Sequence, residues 1–420
     1  MRYVPAIAIG RTVRTLARLR KPGGGSAVPG LVVNKVAPGY LSTTLNSFRD
    51  GLVIVSGSSG KSTTTKMLVA ILRAHDRSVF TNPSTANISQ GLTSALLEEA
   101  DLQGRIRRDI AVLEMDEGHG ALIAPGLSPR VVALTNVMVD QIDRFHDSEM
   151  VATMLTAIAS RATDAVVVNA DDDYLVELAA GVPAGVKVER FGVTAAVLDG
   201  APHGLGHARL APERLNDTAG IVVAAVSGRT STMLIDGDEH TVGLPARGVH
   251  YATDAAAALS TARAVLGAGF DVDAAVAAVA SIPPVFGRGE VVEVRGQQVE
   301  FVLVQNPASY QLNVDTLEPG APVLFAIGSD VRDPSYFWPV DTSRVGRVDI
   351  VSGSKAWELA LQLSYDGVEI DRVETDLGRA VDDFLALPQP AAGVKTIVFS
   401  ADSMRRTRAH LGLTASEEQS

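Results

Sequence analysis

The sequence predicts an α/β protein: a doubly wound domain with a small β appendage, followed by a smaller Rossmann-like α/β domain. Three observations predict it. Short, continuously apolar runs such as Ile110-Ala111-Val112-Leu113 and Val131-Val132-Ala133-Leu134 alternate with helical stretches, the pattern of parallel strands covered on both faces. One such run, Val53-Ile54-Val55, leads through a glycine-containing turn directly into a helix. After Pro283-Pro284 the alternation begins again, which marks a second unit.

Residues 1–45 read as a basic amphipathic helix over 6–19 and a linker, in which the run from Lys21 to Gly30 is a loop on its turn chemistry. The first domain spans 46–285. Strands are expected at 51–56, 78–81, 109–114, 130–135 and 165–169, with helices at 61–75, 88–99, 148–161 and 172–180. Over 190–245 the texture changes to short β-like runs broken by Gly, Pro and Asp, which predicts a small antiparallel appendage. Alanine-rich helices at 253–266 and 272–279 pack back on the first domain. The second domain, 289–420, shows strands at 290–295, 299–304, 322–327, 347–351 and 395–399 and helices near 354–364, 376–386 and 402–411, within the usual size of a domain.

Of the 420 residues, 46% are hydrophobic and 20% charged, as in a soluble enzyme, and no apolar run reaches the roughly 18 residues of a membrane span. A net charge of −11 argues against non-specific nucleic-acid binding, which depends on phosphate neutralisation by Lys and Arg. The charge is segregated, however: no acidic residue precedes Asp50, while Arg2, Arg11, Arg14, Arg18, Arg20 and Lys21 punctuate an apolar start. Two roles stand for that helix, packing on the next domain and resting on an anionic membrane surface. The absence of cysteine excludes disulfides, a thiolate zinc site and a cysteine nucleophile, and fits a reducing cytoplasm. The eight histidines are scattered, so no histidine metal site is expected.

Chemistry concentrates on Gly57-Ser58-Ser59-Gly60-Lys61-Ser62-Thr63. A strand running into Gly-x-x-Gly-Lys-Ser and then a helix builds a phosphate cradle: glycines let backbone N–H groups turn toward the anion, the helix N-terminus adds its dipole, Lys61 reaches the β and γ oxygens, and a hydroxyl ligates Mg²⁺. Ligands of an open parallel sheet sit at the carboxyl ends of its strands. Those ends here carry Glu114-Met115-Asp116-Glu117, Thr135-Asn136, and Asn169-Ala170-Asp171-Asp172, with Asp140-Gln141-Ile142-Asp143-Arg144 shortly after the second. Glu114 is the expected metal ligand opposite Ser62 or Thr63. Asp116 or Glu117 better suits the N-cap of the following helix.

The loop resembles the Gly-Thr-Asn-Gly-Lys-Thr-Thr loop of Mur ligases and folylpolyglutamate synthases, and Asn169-Ala170-Asp171-Asp172 resembles their Asn-x-Asp-Asp element. Gly248-Val249-His250-Tyr251 through Asp254, then Gly287-Arg288, are similar to their later nucleotide contacts, with both asparagines of the first motif replaced. The resemblance implies a Mur-ligase-type ATP-binding domain in which Gly57, Ser58, Ser59, Gly60, Lys61, Ser62, Thr63, Asn169, Asp254, Arg288 and Asn306 bind ATP, Ser62 and Glu114 hold Mg²⁺, and a carboxylate becomes an acyl phosphate that an amine attacks. Within this superfamily the chain is most similar to the MurT family, the ligase-like subunits of lipid II isoglutaminyl synthases. Four segments carry that likeness: the run from Gly23 to Gly30, the run from Thr81 to Asn87, Asp140-Gln141-Ile142-Asp143-Arg144-Phe145, and Asp330-Val331-Arg332-Asp333-Pro334-Ser335-Tyr336-Phe337-Trp338.

The MurT resemblance implies amidation of the D-glutamate α-carboxylate of the lipid II stem peptide, at the inner face of the plasma membrane, with ammonia from a GatD-like class I glutaminase. Glutamine hydrolysis needs an activated thiol, which this chain lacks, so that activity must lie on another polypeptide. Asp333 or Asp330 is implied to complete the partner's catalytic pair. The sequence departs from the family in lacking the four-cysteine zinc ribbon, so no zinc is expected and 190–245 reads as its metal-free replacement. Gln305-Asn306-Pro307 stands for the usual Lys-Asn-Pro. A stand-alone amide ligase acting on another carboxylate, and a ligase-like scaffold with weakened catalysis, remain as alternative readings.

Overall fold

A computed structural model describes residues 3–20, 27–83, 88–101, 103–138, 147–211, 220–284, 287–333 and 336–413. The chain begins with three helices, α1 (Val4–Arg20), α2 (Val28–Val36) and α3 (Tyr40–Leu45). It continues through β1 (Leu52–Ser56), α4 (Lys61–Ala74), β2 (Val79–Thr81), α5 (Ser89–Glu99), β3 (Ile110–Glu114), α6 (Glu117–Ile123), β4 (Val131–Leu134), α7 (Ser148–Ala159), β5 (Ala165–Asn169), α8 (Asp173–Ala180) and β6 (Lys187–Val193). Then follow α9 (Ala195–Asp199), β7 (Ile221–Ser227), β8 (Thr230–Ile235), β9 (Asp238–Gly243), α10 (Val249–Leu266) and α11 (Val272–Ala280).

The linker expected up to residue 45 is corrected by α2 and α3. Pro29 lies in the first turn of α2, where its missing N–H leaves no bond unmade. Gly30 is there for close approach: a Cβ would lie 1.9 Å from the Gln90 carbonyl oxygen on α5. Residues that read as turn formers therefore start one helix and seat it on another. The four-segment likeness falls partly on Gly23–Ser26, Ser84–Asn87, 140–145 and Pro334-Ser335, which lie outside the described residues.

Nine strands form one sheet in the order β2-β3-β1-β4-β5-β6-β7-β8-β9. Pairing is parallel from β2 to β7 and antiparallel for β8 and β9. The segment expected as an appendage is thus continuous with the main sheet. Its apolar ends explain this: Phe191, Gly192 and Val193 pair with Ile221, Val222 and Val223 in the buried interior, whereas the outer half of β7 alternates half-buried and exposed residues. Helices α4, α10 and α11 cover one face and α1 to α3 with α5 to α8 the other, around two separate apolar cores. Along α10, alanines at 255–258 and 262 let the helix lie close on the sheet.

The C-terminal part comprises β10 (Arg288–Val294), β11 (Gln297–Leu303), α12 (Pro307–Val314), β12 (Val323–Ala326), β13 (Arg347–Ser352), α13 (Ala356–Tyr365), β14 (Glu369–Glu374), α14 (Leu377–Ala386), β15 (Lys395–Phe399) and α15 (Ala401–His410). Its sheet has the order β10-β11-β15-β12-β13-β14, antiparallel only between β10 and β11. Two ties fasten it to the first sheet's layer. Arg247 donates from Nε to Glu300 Oε1 at 3.1 Å and from Nη1 to Glu318 at 3.2 Å. His203 sits between Asp315 and Asp341, each 3.0 Å from a ring nitrogen.

Candidate active site

The order of the sheet decides where a ligand fits. From β1 the chain crosses through α4 to β2 on one side, and later returns to β4 on the other, so the carboxyl end of β1 is a topological switch point. In register, Val55 pairs with Glu114 and Ser56 with Leu134, which brings the ends of β1, β3 and β4 together. Gly57 to Gly60 emerge there and α4 starts at Lys61. Gly57 (φ 134°) and Gly60 (φ 80°) both occupy left-handed backbone. A Cβ would fall 2.2 Å from Thr135 Oγ1 at Gly57 and 2.1 Å from Asp254 Oδ1 at Gly60, so neither position admits a larger residue without displacing its neighbour.

The turn is held open by β4's end. Asn136 Oδ1 accepts from Ser59 N at 2.9 Å, Thr135 Oγ1 donates to Ser59 O at 2.6 Å, and Ser58 Oγ accepts from Met138 N at 3.0 Å. Lys61 folds back over the turn. Its Nζ donates to Gly57 O, to Ser58 O at 3.1 Å and to Glu117 Oε2 at 3.2 Å, rather than projecting away from the loop. Ser62 Oγ donates to Glu114 Oε1 at 2.9 Å. Burial raises the Glu114 carboxyl above its ordinary value, against the opposing pull of Ser62 and of Lys61. The N-cap of α6 is Asp116, which accepts from His119 N, leaving Glu114 for other work.

A cleft of about 710 Å³ opens over this turn and is walled on its far side by the C-terminal part. It gathers Ser58 to Thr63, Glu114, Asn169, Asp254, Arg288 and Asn306. Their engagements differ. Asn169 is fully buried, its amide donating to Thr135 O at 3.2 Å and lying 3.2 Å from His207 Nε2, while Asp171 and Asp172 accept from Val193 N (2.8 Å) and Val137 N (2.6 Å). The Asn-x-Asp-Asp element is thus a brace tying β4, β5 and β6. Asn306 caps α12, accepting from Ser309 N at 2.7 Å. Arg288 donates to Gln305 Oε1 at 3.1 Å. Burial pushes Asp254 up to about 8, with Arg288, Thr64 and Thr63 acting in the opposite sense.

Lys66 was missed by sequence reasoning. It lines the cleft one turn after Ser62, and burial followed by the nearby Arg288 lowers its pKa. Its spacing of four from Ser62 was the available signal. His250, held neutral near 4 by burial, also faces the cleft with Nδ1 unpartnered among the described residues.

Asp330 and Asp333 lie away from this cleft. Asp330 accepts from Ser400 Oγ at 2.6 Å and Asp402 N at 3.1 Å, which orders the end of β15, whereas Asp333 is exposed on the following loop. Phe337 is core; Trp338 is 56% exposed with its ring 5.9 Å from that of Tyr365.

The donors suit the expected groups. A buried hydroxyl and carboxylate are hard oxygen ligands for Mg²⁺, and among the described residues no cluster of three or more His, Asp or Glu forms a cage of its own, so phosphate and water would complete the shell. Glycines that exclude a Cβ at the head of the 14-residue α4 suit a polyphosphate.

Residues 55–262, just under half of the chain, match the Mur ligase middle domain, and the fold is similar to that of solved Mur ligases. Its particular likeness is to MurT: the chain is 26% identical over 405 residues to the MurT subunit of the glutamine-hydrolysing lipid II isoglutaminyl synthase of Streptococcus pneumoniae, covering 84% of this chain and 85% of that one. Among solved structures, MurF of Acinetobacter baumannii superposes with a TM-score of 0.69 at 16% identity, covering 93% of this chain and 81% of that one. The folylpolyglutamate synthase of Mycobacterium tuberculosis, solved with ADP and AMPPCP, gives 0.65 at 18% identity, covering 98% and 99%. No described helix is long and apolar enough to cross a membrane.

Proposed function

We propose that this chain is the ATP-consuming subunit of a lipid II amidating enzyme, converting the D-glutamate α-carboxylate of the stem peptide to the amide of D-isoglutamine. The observation that carries it is the glycine turn with its Ser62–Glu114 pair, set in a cleft between two parts of a chain that resembles MurT over most of its length. A carboxylate oxygen attacks the γ-phosphorus of ATP, ADP leaves and an acyl phosphate forms; ammonia then attacks its carbonyl carbon, the amide C–N bond forms, and phosphate and a proton are released.

The protein's own contributions follow from position. Backbone N–H groups of the turn and the start of α4 hold the phosphates, and Lys61, released from Glu117, neutralises charge on the transferring group. Ser62 and Glu114 would hold Mg²⁺. Arg288, from the C-terminal sheet, brings a second cation across the cleft, so closing that cleft completes the site.

With no cysteine anywhere in the chain, a glutaminase supplying the ammonia would be a separate, GatD-like subunit. Exposed apolar side chains beside Trp338, five residues after Asp333, support a docking face for it. Trp357, Leu361 and Tyr365 follow at four-residue spacing along α13, and Trp357 and Tyr365 are 67% and 73% exposed; Trp338 joins them through Tyr365. Asp333 and Asp330, both exposed after β12, are the candidates for completing the partner's Cys–His pair, with Asp333 favoured.

The test is to mix the chain with the glutaminase, lipid II, ATP and glutamine and to look for the mass change of amidation. Asp333→Asn should stop synthesis from glutamine while sparing synthesis from ammonium. Equal loss of both removes the cross-interface role, and no product with either nitrogen source removes the amidation reading.

A further inference from the structure

We propose that α1 and α2 form a docking surface for an anionic lipid bilayer. The first 49 residues contain eight Lys and Arg and no acid, whereas the remaining 371 carry 29 Lys and Arg against 48 Asp and Glu. An acidic body with one basic pole is repelled from an anionic surface in every orientation but one.

The pole is also apolar on its outside. The inner face of α1 is fixed: Ala6 and Ile7 are buried, Gly10 closes on Val33 and Leu97, and Arg11 and Arg14 are engaged by Ala100 O and Glu98. That anchoring turns Ile9 and Leu16, two turns apart, to the outside, where Leu16 is 60% exposed. On the neighbouring α2, Val28, Leu31 and Lys35 recur at helical spacing, all exposed. Arg18, Arg20 and Lys21 follow in sequence. Large aliphatic side chains standing among cations match the boundary between acyl chains and anionic headgroups; a nucleic acid would use the charge and leave the aliphatics in water. The surface goes beyond the amidation reading and does not need it, since it concerns the bilayer and not the reaction.

The experiment is co-sedimentation of the full chain with phosphatidylglycerol–phosphatidylcholine vesicles and with pure phosphatidylcholine vesicles, neither containing lipid II. Binding to the anionic vesicles alone, weakening with added salt, is expected. The double variant Ile9→Asp, Leu16→Asp should bind about tenfold or more weakly, because each change removes a whole aliphatic side chain from the bilayer contact. Both positions are exposed, so its melting temperature should match that of the unaltered protein; Leu31→Asp provides a second, independent variant on α2. Equal binding to both vesicle types, no binding to anionic vesicles at low salt, or undiminished binding by the variants overturns the proposal. So does binding of an oligonucleotide that the variants retain in full, which would make the pole a nucleic-acid surface.

Discussion

Lys61→Ala should destabilise the nucleotide-free protein as well as silence it. Lys61 and Glu117 form an ion pair at 3.2 Å with side chains only 14% and 5% exposed, and two carbonyls of the turn share the same ammonium. Removing the cation leaves a carboxylate buried without its partner. Such losses cost about 3–5 kcal/mol in full burial, and the residual exposure of Lys61 places the expectation at about 2–4 kcal/mol. At roughly 2–4 °C per kcal/mol for a domain of this size, thermal unfolding of the first part of the chain should fall by about 4–16 °C. Adding Glu117→Gln removes the stranded charge, so the double variant should regain most of the stability yet none of the turnover, which is expected to stay down by at least about 10². Calorimetry paired with an amidation assay reads both quantities. A single variant that melts with the wild type refutes the paired resting state of Lys61; a double variant no more stable than the single refutes the stranded charge as the cause; retained turnover refutes the assignment of the site.

Other outcomes follow from the same geometry. Burial opposes protonation of His203, but its bonds to Asp315 and Asp341 outweigh this and raise it above 6.5. The resulting tie between the two parts is therefore complete below that value and is lost as pH rises through the raised pKa; His203→Gln should flatten the pH dependence of melting above pH 6.5. Glu114→Gln and Ser62→Ala should each lower kcat by about 10²–10³ while shifting the Mg²⁺ concentration needed for half activity upward, and unchanged magnesium titrations would remove them as ligands. Asp172, fully buried, accepts from Val137 N at 2.6 Å and Leu175 N at 3.3 Å, so Asp172→Ala should cost about 2–3 kcal/mol in denaturant melts.

Legibility in the sequence followed burial. Strands covered on both faces, such as Ile110–Glu114 and Val131–Leu134, read as continuous apolar runs and are found where expected. The edge strand Glu369–Glu374 was missed because four of its six residues are charged, and α12 because its eight residues have a weak apolar face behind Asn306-Pro307. Gly and Pro misled at residues 28–30, where turn chemistry and close helix packing use the same residue types. The glycine turn was legible since its backbone demands are local. The bracing role of Asn169 was not, because its partners Thr135 and His207 lie 34 and 38 residues away along the chain.

Two open sheets leave four edges, and each edge is blunted in its own way. β2 has three residues, too few to template a foreign strand; β9 opens with exposed Asp238 and Glu239; β14 sets Glu369, Asp371 and Arg372 outward; β10 carries a register shift between Arg288 and Glu290. Strand-to-strand clumping is accordingly disfavoured, leaving self-association to be governed by the exposed aromatic and aliphatic side chains.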